Sequence, residues 1–147
     1  MRIQHAFFIL SAILVTGCST TGNPNQNRTA SKIVENIAQT NVEHLDIVTL
    51  NTSFVDERSS SPYTGSVVEL SGEVVAFALT EDGLYTVSLK QESSTVICVF
   101  NDSIANQLGD DRSIHNGAMI TVQGQCYSSG LFSSNSFSLD GCRIVSN

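Results

Sequence analysis

The sequence predicts a mainly β domain, a five-stranded barrel behind an N-terminal amphipathic helix, with a short helix between strands 3 and 4. Three observations predict it. The apolar period changes from about 3.6 to 2 near Ser66. Five alternating or apolar runs follow, separated by turn signals such as Asp82-Gly83 and Asn116-Gly117. The first run carries a glycine and a change of phase, as a strand does when it bends to serve both sides of a small barrel.

The chain has 147 residues, room for one domain and its appendages. Arg2, an apolar stretch over residues 6–15 and small residues before a cysteine have the layout of a cleaved export signal over residues 1–17. That stretch is about half the roughly 20 apolar residues a spanning helix needs. Val15-Thr16-Gly17-Cys18 resembles the bacterial lipobox, in which a thiol is acylated and the bond before it is cut. Cys18 is therefore the expected lipid-attachment site. Several buried acyl chains give stable anchoring where a single one binds reversibly, so the membrane is the expected partner through palmitate-type chains. Ser19 is similar to the residue found there in lipoproteins sorted to the outer membrane.

Residues 18–30 are rich in Ser, Thr, Asn and Gly and are expected to form a flexible tether. Ile33, Val34, Ile37, Ala38, Val42, Leu45 and Val48 recur near helical spacing, which predicts one amphipathic helix over residues 31–50 with Ser31 as a candidate N-cap. Residues 51–62 read as a linker, and residues 63–147 as the barrel. Val68, Leu70, Gly72 and Val74 form one face of the first strand, and Val75, Phe77 and Leu79 form the next set, so a bulge is expected after Val74. Tyr85, Val87 and Leu89 mark the second strand and residues 95–100 the third. Residues 102–108 read as a short helix, with Ile104 and Leu108 facing inward and Gly109 as its stop. Ile120, Val122, Gly124 and Cys126 line the fourth strand; residues 137–145 make the fifth, with a bulge at Asp140-Gly141.

Three strands, a helix and two closing strands is the plan of the OB-fold. The chain resembles the tRNA_anti-like OB-fold family of bacterial lipoproteins in four stretches: Tyr63-Thr64-Gly65-Ser66 running on to Val74, Cys98-Val99-Phe100, Gly117-Ala118-Met119 running on to Cys126, and Leu139-Asp140-Gly141-Cys142-Arg143-Ile144. The resemblance spans about residues 33–145. It implies a barrel and an envelope address, and no activity.

The OB plan sets the third and fifth strands side by side, which makes Cys98 and Cys142 the first choice for a disulfide in an oxidising envelope. A pair using Cys126 and three free thiols are the alternatives. Cys126 and Cys142 stand about three residues out of register on a predicted hairpin, about 10 Å apart and beyond bonding reach. A three-cysteine metal site lacks the close spacing that structural zinc uses, so no cofactor or metal is expected. His5 leaves with the signal, and His44 and His115 sit in no catalytic motif. Glu81-Asp82 and Asp110-Asp111 lie beside turns, where acidic residues serve local backbone bonds and solubility. Of the seven basic residues Arg2 leaves with the signal, so six face 14 acidic ones, and Trp is absent. Nucleic acid is not an expected partner, since phosphate binding needs cationic side chains and stacking needs aromatic ones. The leading reading is a non-enzymatic envelope module that binds an envelope protein, a peptide or a glycan. A periplasmic enzyme such as a hydrolase, or a structural part of an envelope complex, is the alternative.

Overall fold

The computed structural model describes residues 23–54, 61–101, 104–126 and 136–146. The elements run α1 (Pro24–Asn36), a 3-10 turn (Gln39–Asn41), β1 (Glu43–His44), α2 (Ile47–Phe54), β2 (Val67–Leu79), β3 (Tyr85–Gln91), β4 (Ser94–Phe100), β5 (Met119–Cys126) and β6 (Ser136–Ser146). The sheet order is β1-β2-β3-β4-β6-β5, and β2 also pairs with β5, so β2 to β6 close into a five-stranded barrel with β1 as an added strand. This is an OB-type architecture. β4 and β6 are parallel, with Cys98 opposite Leu139, and the other barrel pairings are antiparallel. The expected export signal at 1–17, the expected lipid-attachment site Cys18, the start of the expected tether, residues 55–60 of the expected linker and residues 127–135 lie outside the described residues.

β2 closes the barrel because it serves two partners in succession. Residues 67–73 pair with β5 and residues 73–79 with β3, with a bulge between Val74 and Ala76. The phase flip read from the sequence is that bulge: Val74 is buried while Val75 next to it is 40 % exposed. Inside, Val68, Leu70, Val87, Leu89, Val96, Cys98, Phe100, Ile120, Val122 and Leu139 form one core. Its free energy comes chiefly from the apolar area these side chains remove from water.

Both ends of the barrel are stoppered. α2 sits at the β3–β4 turn, where the Ile47 amide donates to Gln91 Oε1 (2.8 Å) and Asn51 Nδ2 donates to Ser94 Oγ (3.2 Å). Asp46 starts this helix, its Oδ1 accepting from the Thr49 amide at 2.6 Å. Ile47 and Leu50 are fully buried, and Phe54 stacks on Phe137 with ring centroids 5.6 Å apart. Ile104 and Ile114 are buried in the same core where β4 ends and β5 begins.

The N-terminal elements correct the sequence reading. The single helix over 31–50 is instead α1, a 3-10 turn, β1 and the start of α2, and residues 24–30 of the expected tether belong to α1. Ser31 lies inside α1. The cap is Asn23, whose side chain accepts from the Asn25 amide (3.0 Å), with Pro24 at the first helical position. α1 ends where Ile37 turns extended (φ −71°, ψ 138°) and Asn36 Nδ2 takes the Lys32 carbonyl (2.7 Å). Extended backbone then carries the chain into a two-residue parallel ladder, Glu43 opposite Val68 and His44 opposite Glu69. Residues 51–54 of the expected linker complete α2.

The expected helix over 102–108 is also corrected. Residues 102–103 lie outside the described residues, Ile104 is 3-10 helical and residues 105–107 form a turn, with Gln107 N donating to Ile104 O, and Leu108 then bridges Ile114. The segment is too short to offset helix nucleation, and its backbone bonds go instead to Ile114 on the returning limb. Ile104 and Leu108 do face the core as expected. No helix among the described residues is long and apolar enough to cross a membrane.

Candidate binding surface

α1 lies across the outside of β6 at the Asp140-Gly141 bulge. The Gly141 amide donates to Asn27 Oδ1 (2.6 Å), and Gln26 Nε2 donates to Asp140 Oδ2 (2.5 Å). Gly141 has φ +61°, and a Cβ on it would fall onto the Ser31 nitrogen and the Ala30 carbonyl carbon. The buried stripe of α1 is Asn27, Ala30, Ser31 and Val34, so it runs at helical spacing and is half polar. Asp140 is only 2 % exposed, and burial pushes its pKa up while the Gln26 bond partly opposes the rise. A carboxyl whose folded pKa lies above its unfolded value, near 3.8, stabilises the fold below that value, and the contribution is lost as pH rises through the folded pKa. Asp140→Asn keeps the acceptor for Gln26 without the charge. It is expected to stabilise the protein at neutral pH, by on the order of 1 kcal/mol, and to match the parent in strong acid. Thermal melts across pH check this, and an unchanged or lower midpoint at neutral pH would refute it.

Beyond α1 the chain covers a polar cluster on the β2–β5–β6 face. Gln123 is fully buried and donates from Nε2 to Gln39 Oε1 (3.0 Å) and Glu69 Oε2 (2.6 Å). Its Oε1 accepts from Arg143 Nε (2.9 Å) and Nη2 (2.6 Å). One amide thus joins a cation and an anion that do not touch, and each of its atoms is satisfied. Glu69 Oε1 faces His44 Nδ1 at 3.2 Å.

An open groove of about 350 Å³ adjoins this cluster, lined in part by His44, Asp46, Glu69, Ser71 and Gln91. Its polar groups are already paired. Asp46 caps α2, and that bond to the Thr49 amide lowers its pKa. Ser71 Oγ shares a hydrogen bond with Thr121 Oγ1 (2.7 Å), while His44 engages Glu69. The groove's hydroxyl and imidazole therefore do not form the nucleophile–base contact that covalent catalysis uses. His115 packs its Nδ1 against the Asn116 carbonyl (3.0 Å) in a turn, well away in sequence from either. Among the described residues no cluster of three or more His, Cys, Asp or Glu side chains is arranged to hold a metal ion.

The face of β3 and β4 that points away from the core carries Thr86, Ser88 and Lys90 beside Thr95 and Ile97, with Ala76 and Ala78 of β2 at its margin. OB barrels take ligands on this face. Here it carries three hydroxyls beside Ile97 and the buried Val99, and Lys90 is the cation these side chains supply.

All three barrel cysteines are buried in the core, and in this structure they are free thiols, the last of the alternatives read from the sequence. Cys126 stands opposite Leu139 on the β5–β6 ladder, three positions before Cys142. Cys142 Sγ donates to the Leu139 carbonyl (3.3 Å) and interacts directly with the Cys98 thiol. A Cβ at Gly124 would come within 2.6 Å of that sulfur, so the glycine makes the space the Cys142 side chain fills. Burial pushes the Cys126 thiol up to about 12, and burial also raises Cys142 well above the ordinary thiol value, the neighbouring Cys98 adding to the rise.

The model of the tRNA_anti-like family matches residues 1–133. The chain belongs to the tRNA_anti-like family. No curated protein matches its sequence. Among solved structures it is similar to a proposed nucleic acid-binding lipoprotein from Klebsiella pneumoniae subsp. pneumoniae MGH 78578. The TM-score is 0.55 at 17 % identity, over 72 % of this chain and 93 % of the other. Weaker likenesses are to a proposed aspartyl-tRNA synthetase from Leishmania major Friedlin (TM-score 0.47, 11 % identity, 76 % of this chain and 22 % of that one) and to asparaginyl-tRNA synthetase from Entamoeba histolytica (TM-score 0.44, 10 % identity, 71 % and 23 %). In this tRNA_anti-like chain, Cys98, Cys126 and Cys142 meet in one core and Cys18 lies outside the described residues. Gln123, Asn27 and Asp140 were missed as buried polar residues because hydropathy marks such side chains as solvent-facing. The Asn23-Pro24 pair was the legible signal for α1.

Proposed function

We propose that this tRNA_anti-like chain is an exported lipoprotein, held at the outer membrane by acyl chains on Cys18, whose barrel is a non-enzymatic binding module for an envelope protein, a peptide or a glycan. The observation that carries the reading is the barrel's build. Its ends are stoppered by α2 and by Ile104 and Ile114, its core is packed, and its β3–β4 face sets the part-exposed hydroxyls of Thr86, Ser88 and Thr95 beside Lys90. A surface of that kind recognises an extended ligand lying on it, through hydroxyls and backbone groups. The lipobox-like Val15-Thr16-Gly17-Cys18 supports the address. The binding named for the Klebsiella lipoprotein is less suited to this chain, whose acidic excess repels phosphate backbones.

In that oxidising compartment Cys98 and Cys142 form a disulfide. Each thiol gives up its proton, and the two electrons pass by thiol–disulfide exchange to the disulfide of an envelope oxidant, which leaves as a dithiol. The address is tested by Cys18→Ser in cells fed labelled fatty acid. The variant is expected to stay unprocessed and unlabelled; normal processing, labelling and membrane fractionation would overturn the anchoring. Crosslinking in intact cells through residues substituted at Thr86 or Thr95 is expected to trap one reproducible envelope partner. Repeated recovery of none would count against the binding module.

A further inference from the structure

Among the described residues, the second half of β2 has a strand paired on one side and none on the other. β5 reaches along β2 only as far as Met119, opposite Glu73, whereas β2 runs on to Leu79 with β3 on its other side. The Thr80 amide donates to the Leu84 carbonyl across the hairpin (2.8 Å). Backbone groups alternate sides along a strand, so Thr80, Ala78 and Ala76 aim theirs at β3, while Phe77 and Leu79 aim theirs outward. Among the described residues no strand lies there. Two N–H groups and two C=O groups therefore form a bare sheet edge, and the stretch from Val75 to Leu79 holds no charge, proline or glycine to discourage pairing. Leu79 is 61 % exposed beside it.

We propose that this edge pairs with the same edge of a second copy, antiparallel about a two-fold axis at Ala78. In that register Phe77 of each copy faces Leu79 of the other and exchanges both backbone hydrogen bonds with it, so the four outward groups of each strand are all used. Leu79 gains an aromatic cross-strand neighbour in place of water. Ala78 meets its own counterpart in the narrow, non-hydrogen-bonded pairing, where Cα atoms approach to about 4.5 Å and a small side chain suits the space. Acidic residues do not oppose each other: Glu81 faces the bulged Val75. The pairing uses the backbone edge of Phe77 and Leu79, beside the β3–β4 face whose margin Ala76 and Ala78 form. Being short, it falls below the roughly 1,000 Å² of a strongly held interface, so a dimer that dissociates in the micromolar range or above is expected.

Cysteine substitution in the full-length chain reads the register directly. Ala78→Cys puts two sulfurs across the axis at a spacing a disulfide accepts, and mild oxidation is expected to convert most of the protein to a covalent dimer. Ala76→Cys, equally exposed on the same strand, faces Thr80 of the other copy and stands about 13 Å from its own counterpart; it is expected to remain monomeric. Ala78→Lys sets two ammonium groups face to face and is expected to weaken the dimer in sedimentation at least tenfold, with an unchanged circular dichroism spectrum. Equal crosslinking of the two cysteine variants, a monomeric parent at all concentrations, or a dimer indifferent to Ala78→Lys would each overturn the proposal. A parent that is monomeric yet captures an extended peptide on this edge would assign it to a foreign strand.

Discussion

Gly141→Ala is expected to detach α1 from the barrel and to cost about 3 to 5 kcal/mol of stability. Two effects act together. The backbone at Gly141 is left-handed at φ +61°, which a Cβ disfavours by about 1 kcal/mol or more. That Cβ would also occupy the space of the Ala30 and Ser31 backbone, which cannot yield the way a flexible side-chain end does. Moving the helix to make room breaks the Gly141 bond to Asn27 and the Gln26 bond to Asp140, and leaves Asn27, now 1 % exposed, without its partner. Val34 would also leave its cluster with Val42 and Val67. Hydrogen exchange should report lost protection over residues 24–36 before any loss in β3 and β4, and denaturant midpoints should fall. A variant with parental protection in α1 would refute the docking described.

If Cys98 and Cys142, free thiols in this structure, are joined as proposed, the disulfide is expected to contribute about 2 to 4 kcal/mol, so Cys98→Ala or chemical reduction of the oxidised protein should lower the midpoint by that equivalent. The bond closes the chain from 98 to 142, long enough that the chain-entropy account gives about 4 kcal/mol. It also joins β4 to β6, a parallel pairing with no short turn to hold it in register. Cys126 is left as the odd thiol. Its protonation up to about 12 keeps it unreactive in the folded protein. Alkylation after unfolding without reductant should therefore modify a single barrel cysteine. Three modified cysteines would remove the bond and the stability assigned to it.

The barrel was legible because its strands obey one rule. Val68, Leu70 and Val74, then Val87 and Leu89, then Ile120 and Val122 alternate with polar neighbours, and each set is buried. The bulges were legible as breaks in that alternation at Val74 and at Asp140-Gly141. The N-terminal segment was not, because its contacts are polar. α1 buries Asn27 and Ser31 where hydropathy expects apolar residues, and its apolar residues run on past Asn36 into extended chain that packs on Val67. Gln123 escaped for the same reason: it sits on the outward face of β5 and is buried only because Gln39 returns over it from far away in the chain. The inward direction of the three cysteines followed from strand alternation, while the direct meeting of Cys98 with Cys142 needed the register across the bulge.

The way α1 and β1 are fastened also sets how the molecule bears load. They are held by one glycine bulge, a few side-chain hydrogen bonds, the small apolar cluster of Val34, Val42 and Val67 and a two-residue parallel ladder, whereas the barrel strands are joined by longer ladders. Tension applied from the N-terminal side reaches those fastenings first and peels them in sequence, paying out residues 23–46 to roughly 80 Å while the barrel keeps its shape. The segment is thus a leash, short when docked and long once peeled.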